Sequence, residues 1–206
     1  MKLLEGAGTS LSVELAFTTM RRATTAPSLE DVRRLYVAHA AELRQALARL
    51  APELDADDLL QEVFLIALDR PEALVGADSP RAWLFGIAVK LAATRRRTTR
   101  LRRFLGLDEA AELPAVDAPS RTVEQRDAQR AVARALESLS SAKREAFVLF
   151  ELQGLAGEEV AEALGIPLKT VWTRLFHARK EVTAALERQL LTEARTSGLA
   201  REEVRP

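Results

Sequence analysis

Lys169, Thr173, Phe176 and Lys180 stand four, three and four residues apart, the spacing that brings side chains onto one face of an α-helix. At about 100° per residue they point away from Val171, Leu175 and Ala178, and Trp172 and His177 flank them. Such a ridge breaks no bonds, but it suits the major groove of DNA. There Lys169 and Lys180 meet phosphates, Thr173 and His177 reach base edges, and Phe176 or Trp172 contacts thymine methyls. If the preceding helices or the C-terminal tail cover Trp172 and Phe176 instead, the same segment is an ordinary solvated helix.

The ridge belongs to GEEVAEALGIPLKTVWTRLFHARK, residues 157 to 180, which reads as two short helices around a Gly-Ile-Pro turn. In a helix-turn-helix the first helix needs a small residue where the second crosses it, and the turn needs a residue comfortable at positive φ. Ala161 and Gly165 supply these, and Val160, Leu164, Ile166, Val171 and Leu175 fill the space between. Charge is segregated by helix: residues 163 to 180 hold four Lys or Arg and no acid, whereas 151 to 162 hold Glu151, Glu158, Glu159 and Glu162.

Two further constellations lie upstream. DADDLLQEVFLIALDR, residues 55 to 70, turns Leu59, Leu60, Val63, Phe64 and Ala67 to one side, and Asp58, Gln61, Glu62, Leu65 and Asp69 to the other. An exposed Leu ringed by acids suits docking to a protein better than catalysis, with a plain solvated acidic face as the alternative. Asp57, Asp58 and Glu62 lack the His or phosphate loop that would make them a metal site. RRRTTRLRR, residues 95 to 103, holds six Arg in nine positions on a helix that also carries Trp83 and Lys90. A positive strip beside an aromatic residue suits single-stranded or partly melted nucleic acid. Trp83 is equally a core residue at helical spacing, and the Arg run alone also suits an acidic partner.

The elements that position these groups are helical. The 206 residues, 48% hydrophobic and only 5% aromatic, have few β-branched runs and favour an all-α protein. With 30 basic and 30 acidic residues the formal charge is zero, so nucleic-acid binding must come from local asymmetry. The absence of Cys excludes disulfides, thiol chemistry and a Cys-ligated zinc, which fits a cytoplasmic protein, and two His argue against a His-built metal centre. No nucleophile-base pair or phosphate loop appears, so an enzyme is the least favoured class, and no cofactor is expected. No apolar run is long enough to span a bilayer.

Residues 1–27 read as a disordered extension and a poor signal peptide, with Met20 a candidate natural start. A first helical domain covers 28–103. Ser28 and Asp31 form a capping-box pattern, Val32, Leu35, Tyr36, Leu43 and Leu47 follow at helical spacing, and Pro52 stops the helix. A second helix runs from about Asp57 to Asp69, and a third starts at Pro80 behind a Ser79 cap. Residues 104–121, with Gly, two Pro and four acids against one Arg, have the composition of a flexible linker. A second helical domain covers 122–191, with Val132, Leu136, Leu139, Phe147, Leu149 and Leu152 leading to the helix-turn-helix. Residues 192–206 read as a frayed tail.

Taken in order, DADDLLQEVF at 55 to 64, SPRAWLFGIA at 79 to 88 and GEEVAEALGIPLKTVWTRLFHARK at 157 to 180 resemble the extracytoplasmic-function sigma factors of bacterial RNA polymerase, from Leu29 to Arg188. The resemblance implies that the first domain is sigma region 2. It would dock through Asp58, Gln61, Glu62 and Leu65 on the clamp helices of the polymerase β′ subunit. It would also open and read the minus-10 promoter element with Arg81, Trp83, Lys90, Arg95, Arg96 and Arg97. The second domain would be region 4, contacting the β flap and the minus-35 element through Lys169, Thr170, Trp172, Thr173, Arg174, Phe176, His177 and Lys180. The linker would thread towards the RNA exit channel. A cognate anti-sigma factor would cover the free, monomeric protein until a stress or envelope signal releases it.

The sequence departs from that family's pattern at Leu74-Val75, Pro80, Lys90, Thr94, Leu139-Ser140 and Trp172, which bears on the promoter it reads. Two other classes remain open. One is a sigma-like mimic that binds an anti-sigma factor, favoured by zero net charge and opposed by the basic helix and Arg run. The other is a helix-turn-helix repressor, which leaves the acidic helix unexplained.

Overall fold

The computed structural model describes residues 29–70, 73–74, 77–107 and 123–202. Among these residues every regular element is helical, in two sets. The first comprises α1 (Leu29–Leu50), α2 (Ala56–Asp69) and α3 (Pro80–Phe104), each packed on the other two. The second comprises α4 (Val123–Glu137), α5 (Ser141–Phe147), a π-helical turn (Val148–Leu152), α6 (Gly157–Leu164) and α7 (Leu168–Glu202).

Local chemistry sets these boundaries. The Asp55 carboxylate accepts the Asp57 and Asp58 backbone N–H groups and starts α2 one residue earlier than the spacing predicts. The Ser79 hydroxyl accepts the Ala82 N–H, with Pro80 in the first turn of α3, where its missing N–H removes no bond. Gly165 ends α6 at φ 63°, and its N–H and that of Ile166 close on Glu162 and Ala161 carbonyls. Ser28 lies outside the described residues, as do Val75 and most of the linker. From Thr192, where the sequence reads as a frayed tail, α7 continues as far as Glu202.

The apolar stripes meet as the periodicity requires. Leu43, Leu47, Val63, Leu84 and Phe85 are fully buried in the first set, and Leu149, Leu155, Val160, Val171 and Leu175 in the second. Arg144, only 4% exposed, donates to the Leu136 and Glu137 carbonyls and so closes the C-terminal end of α4. The two sets do not stand apart: α3 lies against α6, and their apolar residues form one continuous cluster. Sequence composition around the linker gives no hint of that contact.

Candidate nucleic-acid interface

α7 presents the ridge from which the sequence argument began. Val171, Leu175 and Ala178 are fully buried, whereas Lys169, Thr173, Phe176, His177 and Lys180 are exposed. Thr170 and Arg174 sit at the edges, half-buried. The Thr173 hydroxyl donates back to the Lys169 carbonyl at 3.0 Å, which leaves its oxygen lone pairs free to accept. Phe176, 66% exposed, meets the His177 ring edge-on at 5.3 Å. A large aromatic left in water between Lys169 and Lys180 is a feature that folding does not require.

Trp172 behaves differently from its neighbours. Its ring packs edge-on against Phe150 at 5.3 Å and lies over Gly157, where an added Cβ would meet it at 2.7 Å. The half-exposed indole therefore joins α7 to the first turn of α6, and glycine at 157 is what lets it. Leu168, Lys169, Trp172, Thr173 and Phe176 together line an open, mostly apolar trough on this face. Of the four cations in the segment, Arg179 is held within the fold, donating to Glu151 at 2.6 Å beside the Phe150 ring.

On the first bundle, Asp58, Gln61 and Leu65 are exposed along α2, with Leu65 at 63%. Glu62 is half-buried because it accepts a bidentate pair of bonds from Arg95 of α3. Arg96 is drawn inward to Glu53 at 2.8 Å, with both side chains largely covered. Burial alone would push the Glu53 carboxyl up, but its own backbone N–H and the Arg96 guanidinium hold it below the usual carboxylate range. Arg97 and Lys90 remain exposed on α3, and Trp83 is half-buried against the core. Leu74 is buried in that core as well.

Arg81, about three-quarters covered, turns towards α1 and the second bundle. It donates to Glu42 of α1 at 2.9 and 3.1 Å and to the Gln153 carbonyl of the second bundle at 2.6 Å. Ser79 donates to Glu159 of α6 at 2.8 Å. The Ala156 N–H, then the Ser79 hydroxyl and Arg81, hold the Glu159 carboxyl below its ordinary range despite some burial. The six residues grouped on the first bundle thus divide in this arrangement. Lys90 and Arg97 are open and Trp83 is partly so, whereas Arg81, Arg95 and Arg96 are engaged within the chain. Sequence spacing could not reveal these engagements, since the partners lie 33 to 72 residues away.

Among the described residues no helix is long and apolar enough to cross a membrane, and no group of three or more His, Cys, Asp or Glu converges to hold a metal.

Known proteins share this plan. Residues 35–102 match the family model for sigma-70 region 2, and residues 129–182 match that for sigma-70 region 4. The chain is 32% identical over 158 residues to the ECF RNA polymerase sigma factor SigL of Mycobacterium tuberculosis, covering 76% of this chain and 89% of that protein. It is 34% identical to the ferric citrate uptake sigma factor FecI of Escherichia coli, covering 82% and 94%. The structure of CnrH in complex with the cytosolic domain of CnrY superposes with a TM-score of 0.58 at 27% identity, covering 78% of this chain and 90% of CnrH. With region 2 and region 4 in the expected order on an all-helical frame, the chain belongs to the ECF family of RNA polymerase sigma factors.

Proposed function

We propose that the chain binds core RNA polymerase and directs promoter-specific initiation, with a cognate anti-sigma factor restraining it until a stress or envelope signal. The α2 face of Asp58, Gln61, Glu62 and Leu65 docks on the polymerase clamp. The α7 ridge reads the minus-35 element, and α3 captures minus-10 bases through Trp83, Lys90 and Arg97. Unstacking those bases costs a few kcal/mol each, which stacking on Trp83 and phosphate neutralisation by Arg97 offset. Polymerase performs the chemistry; this chain supplies position and sequence preference.

The observation that carries the reading is the exposed Phe176 between Lys169 and Lys180, on a helix whose opposite face is fully buried. CnrH in complex with part of CnrY supports a protein partner for the free form. A sigma-like mimic draws on the engagement of Arg81, Arg95 and Arg96 within the chain. Titrating labelled chain with bacterial core polymerase tests the reading. Saturable binding followed by initiation on promoter fragments supports it; binding without initiation favours the mimic, and no binding removes both the docking assignment and the sigma reading.

A further inference from the structure

Gly157 opens α6, and the backbone there does not require glycine. Among the described residues Gly106, Gly154 and Gly165 stand at positive φ, and Gly157 does not. In a helix an alanine without strain would be favoured over glycine. What excludes a side chain is the neighbour. An added Cβ would meet Trp172 Cζ2 at 2.7 Å and Cη2 at 3.0 Å, and Leu168 Cδ1 at 3.1 Å. The benzo edge of the indole and the first side chain of α7 both rest on bare backbone at residue 157.

Leu168 and Trp172 are two of the five residues that line the trough on the outward face of α7, with Lys169, Thr173 and Phe176. Phe150, from the π-helical turn, meets the indole edge-on at 5.3 Å with the ring planes 80° apart. Trp172 is therefore seated by two residues that lie outside the ridge, and 43% of it stays exposed. An indole has only two side-chain torsions, so a seated ring presents a fixed apolar edge at little cost in entropy. With Phe150 packed against it, a ring displaced by a Cβ at 157 yields where there is space, which is the trough.

The lining of the trough selects what enters it. On the major-groove edges of the bases, thymine carries a methyl group, whereas cytosine, adenine and guanine present only donors and acceptors. Leu168, Trp172 and Phe176 have no acceptor or free donor to answer those groups in the trough, so a polar edge pressed there loses water without a replacement. A methyl group gains from the same burial.

We infer that Gly157 and Phe150 set the base preference of α7 without touching DNA: by fixing Trp172 they shape the trough to take the C5-methyl group of one thymine in the minus-35 element. The inference deepens the duplex-reading role proposed above and rests on it.

The test uses the full-length chain bound to core polymerase. Random-sequence duplexes selected by this complex give the bound boxes, and each thymidine of the upstream box is then replaced singly by deoxyuridine, which removes only the methyl group. At one position the wild-type complex binds the uracil duplex about fourfold more weakly, the worth of one buried methyl. 5-Methylcytosine there is bound better than cytosine. Gly157→Ala abolishes the thymine–uracil distinction at that position, while preferences elsewhere and the salt slope stay as in wild type. In a Trp172→Ala background the same substitution changes nothing further, because the indole through which it acts is gone. Phe150→Leu, which frees the ring without crowding it, gives the same loss and replaces Gly157→Ala should circular dichroism show that variant unfolded.

A wild-type complex that selects a box yet accepts uracil equally at every position overturns the inference and leaves promoter recognition standing. Full discrimination in folded Gly157→Ala, or a loss that persists in the Trp172→Ala background, overturns the positioning role. Selection of no shared box overturns the inference together with the function on which it rests.

Discussion

Arg95 of α3 and Glu62 of α2 form a two-pronged ion pair, with guanidinium-to-carboxylate distances of 2.7 to 3.1 Å. One partner lies on the surface proposed to dock polymerase, the other in the basic run proposed to meet DNA. Both are partly exposed, at 34% and 50%, so the pair contributes no more than about 1 kcal/mol to folding. Its consequence is positional: while Glu62 holds Arg95, that cation is not offered to a phosphate.

Glu62→Lys combined with Leu65→Asp is therefore expected to abolish core-polymerase binding while changing thermal stability little. Leu65 is open to solvent and the pair is weak, so the folded core loses almost nothing. Titration against core polymerase and a melting curve check both halves. Wild-type affinity in this variant would rule out α2 as the docking face.

Replacing Lys169 and Thr173 by Ala is expected to weaken minus-35 binding and relax its sequence preference. A lost base contact costs about 1–3 kcal/mol, and loss of one phosphate contact lowers the salt slope by about 1. Binding to matched and mismatched duplexes at several salt concentrations separates the two contributions. An unchanged preference would mean that another face of α7 reads the bases.

The helical frame was legible in the sequence wherever one local rule decided it. Ser79 with Pro80, and Gly165, punctuate the helices by chemistry that needs no distant partner, whereas the Asp55 cap was not read and α2 starts one residue earlier than its spacing implies. Val171, Leu175 and Ala178 were legible as buried through their period alone. Periodicity could not give Arg144 as a buried helix cap, or Arg81 as a tie between bundles, because an arginine reads as surface until its acceptors are in place. Gly86 carried the one available signal: a glycine in mid-helix, flanked by strong apolar periodicity, marks a close approach. Of the aromatic pair on α7, Phe176 stands free as the helical angle implies, whereas Trp172 was pulled towards Phe150 by a contact from another element.

Two substitutions in the helix-turn-helix separate core from turn. Leu175→Ala removes a fully buried side chain and is expected to cost about 2–5 kcal/mol. Gly165→Ala meets no neighbour within 4 Å, yet forces an L-residue to φ 63°, costing about 1–2 kcal/mol. Denaturant titration ranks them. A larger loss at Gly165 than at Leu175 would contradict the packing described for this domain.

Glu145 gives a pH signature. Burial pushes its carboxyl above the ordinary carboxylate value, against the opposing pull of Arg174, Arg96 and Arg144. Its folded pKa is raised, so the native state holds the proton more tightly than the unfolded chain does. The associated stability is present below the unfolded pKa and is lost as pH rises through the folded one. Glu145→Gln, which mimics the protonated carboxyl, is thus expected to be more stable than wild type at neutral pH and to lose that advantage in acid. Melting curves across that range check the sign; a destabilised variant at neutral pH would show that the charged form is the favoured one.

The central claim is promoter-directed initiation. Transcription of a fragmented genomic library by bacterial core polymerase, with and without this chain, followed by sequencing of RNA 5′ ends, tests it most directly. The account predicts new, sharply initiated transcripts that share two upstream boxes and appear only when the chain is present. Folded chain that binds polymerase yet adds no such starts would contradict it.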